Sequence, residues 1–341
     1  MHASLLPSKH LCAIALAAFF AFASTVAAPP PPGRLVDLGG HHLHLNCSGA
    51  GSPTVVVENG LGDFSIDWTL VQTRVAAFTR ACTYDRAGYA WSDSGPKPRT
   101  FAQINLELHD ALAKLGERGP FILVGHSYGG PVVRNYAAAY PREVAGMVQV
   151  DAAFEGMHVG IGGGKTIRLG ADAKGVAIPP PHEELTPSDK QTTDKPAFIA
   201  EDVPAELKSL DPLYQGLPQE TQQQRLWAQQ QPTVYDAESS ETQWSGEYFA
   251  KWLASPQTDP LKSIPLVVLT RAEGGYGNDA DIPAAQLEKE RLDGQLMLSR
   301  LSTNSKQIFI RSGHNMNLEA PNEVASAIQS VVTATRTHSK L

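Results

Sequence analysis

The stretch Phe121-Ile122-Leu123-Val124-Gly125-His126-Ser127-Tyr128-Gly129-Gly130 decides the fold. Four apolar residues running into glycine read as a short buried strand. The apolar pattern from Pro131 to Tyr140 reads as a helix. Between them, G-x-S-x-G sets one serine on a strand-to-helix turn. A turn that tight has no room for side chains two residues before and after the serine, and Gly125 and Gly129 remove the Cβ at both places. Ser127 then stands above the sheet edge, beside a helix N-terminus whose N–H groups face developing negative charge. These residue types in this order point to Ser127 as a nucleophile.

Further strands recur outward from this point, each ending at turn residues. Arg34–Leu38 and His41–Asn46 flank Gly39-Gly40 and read as a hairpin. Thr54–Val57 ends at Asn59-Gly60, Ala81–Tyr84 at Asp85-Arg86, and Met147–Val150 at Asp151. Leu266–Leu269 ends near Arg271, and Gln307–Ile310 at Ser312-Gly313. Helical patterns lie between most of them, over Phe101–Leu115 and from about Pro321 onward. Two antiparallel strands followed by alternating strand and helix predict a mainly parallel sheet covered on both faces. The alternation stops between Asp151 and Ile264. That stretch holds Pro179-Pro180-Pro181, Gln222–Gln224, Gln229–Gln231 and three tryptophans, Trp227, Trp244 and Trp252. It reads as an inserted cap of short helices and loops, and the tryptophans read as its core more readily than as pocket walls.

The elbow at Ser127, Asn59-Gly60 after the third strand, Tyr84-Asp85-Arg86-Ala87-Gly88 after the fourth and Ser312-Gly313-His314 after the last together resemble the α/β-hydrolase superfamily, in its serine-nucleophile branch. The resemblance runs from about Arg34 to the C-terminus, the cap excepted. It implies an eight-stranded, mainly parallel sheet and the chain order nucleophile, acid, histidine. The corresponding division is a leader over 28–33, a hydrolase core over 34–151, a cap over 152–263 and a second core segment over 264–341.

A serine hydroxyl is a weak nucleophile at neutral pH and needs a neutral imidazole in hydrogen-bond reach. His314 is the histidine after the cap that sits at a strand end. His109 falls in a helical pattern, His158 and His182 in the insertion, and His126 is expected to point into the protein. Asp151, at the end of its apolar strand, is the favoured acid, because a stiff strand preorganises it. Glu273, Asp279 and Asp281, past the next strand, satisfy the same order. The resemblance assigns oxyanion stabilisation to the backbone N–H groups of Tyr128 and Leu61. Relatives often carry His-Gly where this chain has Asn59-Gly60. The family's sheet order also places Cys47 and Cys82 on neighbouring antiparallel strands at one edge, which implies a disulfide between them.

Composition narrows the remaining classes. Of 341 residues, 42% are hydrophobic and 18% charged, which is too apolar for a disordered chain. A net charge of −7 lacks the basic excess of a nucleic-acid binder. His41, His42 and His44 look metal-like, but no further ligand is spaced with them, so neither metal nor organic cofactor is expected. Lys9, the apolar run Leu11–Ala23 and the small residues up to Ala27 form the three-part pattern of a secretory signal peptide cleaved after Ala27. The run is shorter than the roughly 20 residues of a spanning helix. The expectation is a periplasmic or secreted serine hydrolase acting on a small-molecule carboxylic ester, thioester or amide. Aminopeptidase- or perhydrolase-like variants of the same site stay open, as does a catalytically weak ligand-binding protein of the same fold.

Overall fold

The computed structural model describes residues 28–162, 165–170, 205–254, 260–272 and 283–341. Its strands are β1 (Arg34–Asp37), β2 (His42–Ser48), β3 (Val55–Glu58), β4 (Ala81–Asp85), β5 (Phe121–His126), β6 (Val144–Val150), β7 (His158–Gly162), β8 (Lys165–Arg168), β9 (Leu266–Arg271) and β10 (Ser305–Ile310). The helices are α1 (Thr69–Val75), α2 (Phe101–Leu115), α3 (Gly129–Ala139), α4 (Gln219–Ala228), α5 (Pro232–Ala254), α6 (Ala284–Ser299), α7 (Met316–Glu319) and α8 (Pro321–Thr337). Eight strands form one sheet in the order β1-β2-β4-β3-β5-β6-β9-β10. β2 runs antiparallel to β1 and β4, and every pair from β4 to β10 is parallel.

Alternation along the strands builds a core on each face. Leu123, Met147 and Val268 point to the side covered by α2, α3 and α6, where they join Leu108, Val133 and Leu298. Ile122, Val124, Val148 and Val267 point to the other side and join Val71, Ile328 and Val331 of α1 and α8. A strand buried on both faces reads as an unbroken apolar run, which is why the central strands do. α2 follows from its apolar stripe Phe101, Ile104, Leu108, Ala111 and Leu112, from the Thr100 hydroxyl capping Gln103 N at 3.1 Å, and from Gly116 in the left-handed region at its end.

The two expected cysteines pair. Cys47 and Cys82 lie opposite each other in the β2–β4 register and are joined by a disulfide. Among the described residues no helix is long and apolar enough to cross a membrane. The signal pattern over 1–27 lies outside the described residues.

The insertion differs from an assembly of short helices and loops. It contains the hairpin β7–β8 and one helix of 23 residues, α5. Polar residues hide the period of α5, because Ser240, Glu241 and Ser245 sit on its buried side. The three tryptophans are buried. Trp227 packs 5.2 Å from Trp91 of the core, and Trp252 joins Phe101 and Tyr128.

Candidate active site

Strand register brings the expected site residues to one edge. His126 of β5 pairs with Val150 of β6, so Ser127 and Asp151 are the next residues on adjacent strands. Glu58 of β3 pairs with Gly125, which sets the turn after β3 beside the elbow. His314 follows β10 by four residues, and β10 lies next to β9.

Ser127 sits at φ +49° and Asp151 at φ +38°, both in the left-handed region that non-glycine residues enter at a cost of order 1–3 kcal/mol. Backbone bonds hold them there. Ser127 N donates to Val150 O at 3.1 Å, and Ser127 O accepts from Gly130 N at 3.0 Å and Ala153 N at 2.9 Å. Asp151 N donates to Leu269 O at 2.9 Å. The elbow glycines are required by close approach. A Cβ on Gly125 would lie 2.6 Å from the carbonyl oxygen of Gly129, and one on Gly129 would lie 2.3 Å from that of Glu58.

His314 and Asp151 are brought together. The Nδ1 of His314 lies 2.7 Å from Oδ2 of Asp151. The His314 side chain is 38% exposed, whereas that of Asp151 is 2% exposed, so the ring faces outward from a buried acid. Burial pushes the Asp151 carboxyl up, but the His314 hydrogen bond and the charge of Arg271 outweigh it and hold it below the usual range. Arg271, at the end of β9, contacts the same carboxylate, and Arg291 of α6 reaches within 3.8 Å of its other oxygen. An ionised Asp151 opposite Nδ1–H leaves Nε2 of the neutral ring as the acceptor. Glu273, Asp279 and Asp281 lie outside the described residues.

The turn after β3 is held by residues that no catalytic pattern flagged. Asn59 donates through Nδ2 to Tyr84 O at 2.6 Å. Arg86 donates to Asn59 O and Gly60 O, each at 2.9 Å. The same guanidinium pairs with Glu58 and with Glu241 of α5, both at 2.9 Å. Burial pushes Glu58 up to about 7, against the pull of Arg86. A second pair crosses between core and cap in the opposite sense, from Arg225 of α4 to Asp67 at 3.0 Å. Asn59 thus supports the turn through its side chain. Tyr128 follows the elbow serine with its side chain buried, and Leu61 is 40% exposed in the turn after β3. Arg86 was visible only as part of Tyr84-Asp85-Arg86, where its burial is not written in the local sequence.

His126 does point inward, and it is bonded on both sides, to Asp63 through Nδ1 and to the main-chain oxygen of His314 through Nε2. The three N-terminal histidines each take a carboxylate of their own. His41 meets Glu107, His42 meets Asp93 and His44 meets Asp85. Among the described residues, the grouping of donors close enough to hold an ion is Cys47, Cys82 and Glu117, and both its sulfurs are spent in the disulfide.

Known proteins resemble this chain in sequence over a segment and in fold over most of its length. A 36% identical segment of 129 residues aligns with a probable transporter, efuK, of Hormonema carpetanum, covering 36% of this chain and 18% of that one. A putative carbamate hydrolase, RutD, of Cronobacter turicensis is 32% identical over 102 residues, covering 30% and 38%. The chain spans less than half the length of each of these relatives. Among solved structures, a serine hydrolase involved in carbazole degradation superposes with a TM-score of 0.54 at 17% identity, covering 88% of this chain and 98% of that one. A thermophilic esterase from Thermogutta terrifontis gives 0.56 at 18%, covering 88% and 97%. A putative epoxide hydrolase from Pseudomonas aeruginosa gives 0.57 at 14%, covering 91% and 99%. At these identities the likeness establishes the fold. Residues 55–327 match the alpha/beta hydrolase family, and the chain belongs to it.

Proposed function

We propose that this chain is an exported serine hydrolase that cleaves a small-molecule carboxylic ester through an acyl-enzyme. The observation that carries this reading is the 2.7 Å contact between His314 Nδ1 and the buried Asp151 carboxylate, at the sheet edge that carries the Ser127 elbow. Ser127 Oγ attacks the carbonyl carbon while Nε2 of His314 takes the hydroxyl proton. Asp151 keeps the ring in the Nδ1–H tautomer and stabilises the imidazolium that forms. The N–H groups of Tyr128 and Leu61 receive the negative oxygen, a role worth about 2.7–4 kcal/mol for each donor lost in comparable sites. The proton then passes from Nε2 to the leaving alkoxide, and water, deprotonated by the same nitrogen, cleaves the acyl-enzyme.

The leader over 28–33 and the cap over 152–263 belong to this reading, with the cap supplying pocket walls. Export is supported by the charged, apolar and small-residue pattern over 1–27 and by the Cys47–Cys82 bond, since such bonds persist in oxidising compartments. A panel of p-nitrophenyl esters of rising acyl length tests the activity. Turnover that disappears in Ser127→Ala is expected, and undiminished turnover in that variant rejects the proposal.

A further inference from the structure

The elbow histidine has no part in the steps above, yet its surroundings define its state. His126 is 1% exposed. Its Nδ1 lies 3.0 Å from Oδ2 of Asp63, in the turn after β3. Its Nε2 lies 3.0 Å from the main-chain oxygen of His314. A peptide carbonyl can only accept. An ionised carboxylate can only accept as well, and burial of Asp63 is outweighed by the hydrogen bond and charge of His126, which hold it below the usual carboxylate range. Two acceptors on two ring nitrogens require two N–H donors. The ring is therefore an imidazolium paired with Asp63, and the pair is neutral as a unit. Burial alone would lower the ring's pKa, and the Asp63 bond and charge raise it instead. The titratable groups facing the ring are Asp63 from the turn, His314 from the loop after β10 and Asp151 just past β6, while Trp68 meets it edge-on at 6.2 Å. The rings of His126 and His314 are 4.8 Å apart between centroids.

The two ends of this bridge are two separate loops of the site. One is the turn that carries Leu61. The other is the loop whose main-chain oxygen at His314 also accepts Met316 N at 3.1 Å. Gly60 is fitted to the bridge, because a Cβ there would lie 2.4 Å from Oδ2 of Asp63 and 3.0 Å from Nδ1 of His126.

We propose that His126 is a positioning residue of the hydrolytic site: doubly protonated, it joins Asp63 in the oxyanion turn to the backbone of His314 and so fixes the separation of the oxyanion donors from the base. The inference rests on the serine-hydrolase reading for its kinetic consequence, but the charge state does not depend on it.

The test uses the full exported chain labelled with ¹⁵N-histidine, with the His126 ring assigned by its loss in His126→Asn. At about pH 7.5 both ring nitrogens are expected to carry protons, although an ordinary histidine is mostly neutral there. Asp63→Asn keeps the shape and removes the charge, so the ring is expected to lose one of those protons. His126→Asn retains one donor and cannot span both partners. Its kcat on a p-nitrophenyl ester is expected to fall about 10²-fold with KM within about twofold, as for a sub-ångström to 1 Å misplacement of reacting groups. A ring with one N–H in the unmodified chain, or an unchanged kcat in both folded variants, overturns the proposal. Ser127→Ala separates the two readings. If it still turns over, the serine mechanism fails while the two-proton ring can stand. If it is inert and the ring carries one proton, only the bridge fails.

Discussion

The guanidinium of Arg86 and the carboxylate of Glu241 meet at 2.9 Å with neither side chain exposed, one at the end of β4 and the other on cap helix α5. Because the same guanidinium holds the carbonyls of Asn59 and Gly60, docking of α5 and the shape of the turn after β3 share one charge. Tyr89 reinforces the pair by donating to Glu241 at 2.7 Å. Removing one partner of a buried pair leaves the other uncompensated, at about 3–5 kcal/mol. Glu241→Ala is therefore expected to lower the unfolding free energy measured by urea titration by that amount and to slow turnover. Equal stability to the unmodified chain would contradict the coupling.

Asp151→Asn preserves size and removes the charge that, in the proposed mechanism, sets the His314 tautomer. The expected loss is about 10⁴ in kcat, with the substrate still bound. Steady-state kinetics decide it, and near-full kcat would move the acid role to another carboxylate.

Glu107 gives a pH test of stability. Arg99 donates two bonds to it, at 2.7 and 2.8 Å. Burial pushes this carboxyl up, but the Arg99 charge and bonds prevail and hold it at about 2, against an ordinary 4.5. The unfolded chain then binds more protons between those values, so stability rises with pH across the window and is lost as pH falls through it. The full contribution, of order 3 kcal/mol, is present above about 4.5. Thermal melts should show Glu107→Gln well below the unmodified chain at pH 6 and converging with it toward pH 2.5. A constant gap would contradict the assignment.

The disulfide closes a sequence separation of 35 residues between β2 and β4. A loop of that length corresponds to about 4 kcal/mol in the chain-entropy treatment. Replacing both cysteines by alanine is expected to lower the melting temperature by roughly 5–10 °C. A melting temperature that does not move would show that the sheet alone fixes this edge.

Much of the fold was legible in the sequence because central parallel strands are apolar on both faces and end at turn residues. Phe101–Leu115 was read to its observed ends, since its apolar stripe and its left-handed Gly116 both mark them. The α3 helix begins two residues before the expected Pro131, because its first turn is made of elbow glycines that carry no hydrophobic signal. α5 was not legible, because its buried side bears Glu241, which the distant Arg86 and Tyr89 make tolerable there. That Ser127, Asp151 and His314 follow strand ends was legible, because each comes after an apolar run that stops at turn residues. Arg271, Arg291, Asp63 and the inward bridge of His126 were not, since each depends on partners tens to hundreds of residues away in the chain.

Fluorophosphonate labelling followed by mass mapping of the adduct is the most direct measurement of the central claim. The account predicts one adduct, on the peptide carrying Ser127, formed rapidly in the unmodified chain and lost in Ser127→Ala and in His314→Ala. A folded chain that takes up no label, or carries it elsewhere with Ser127 free, would contradict it.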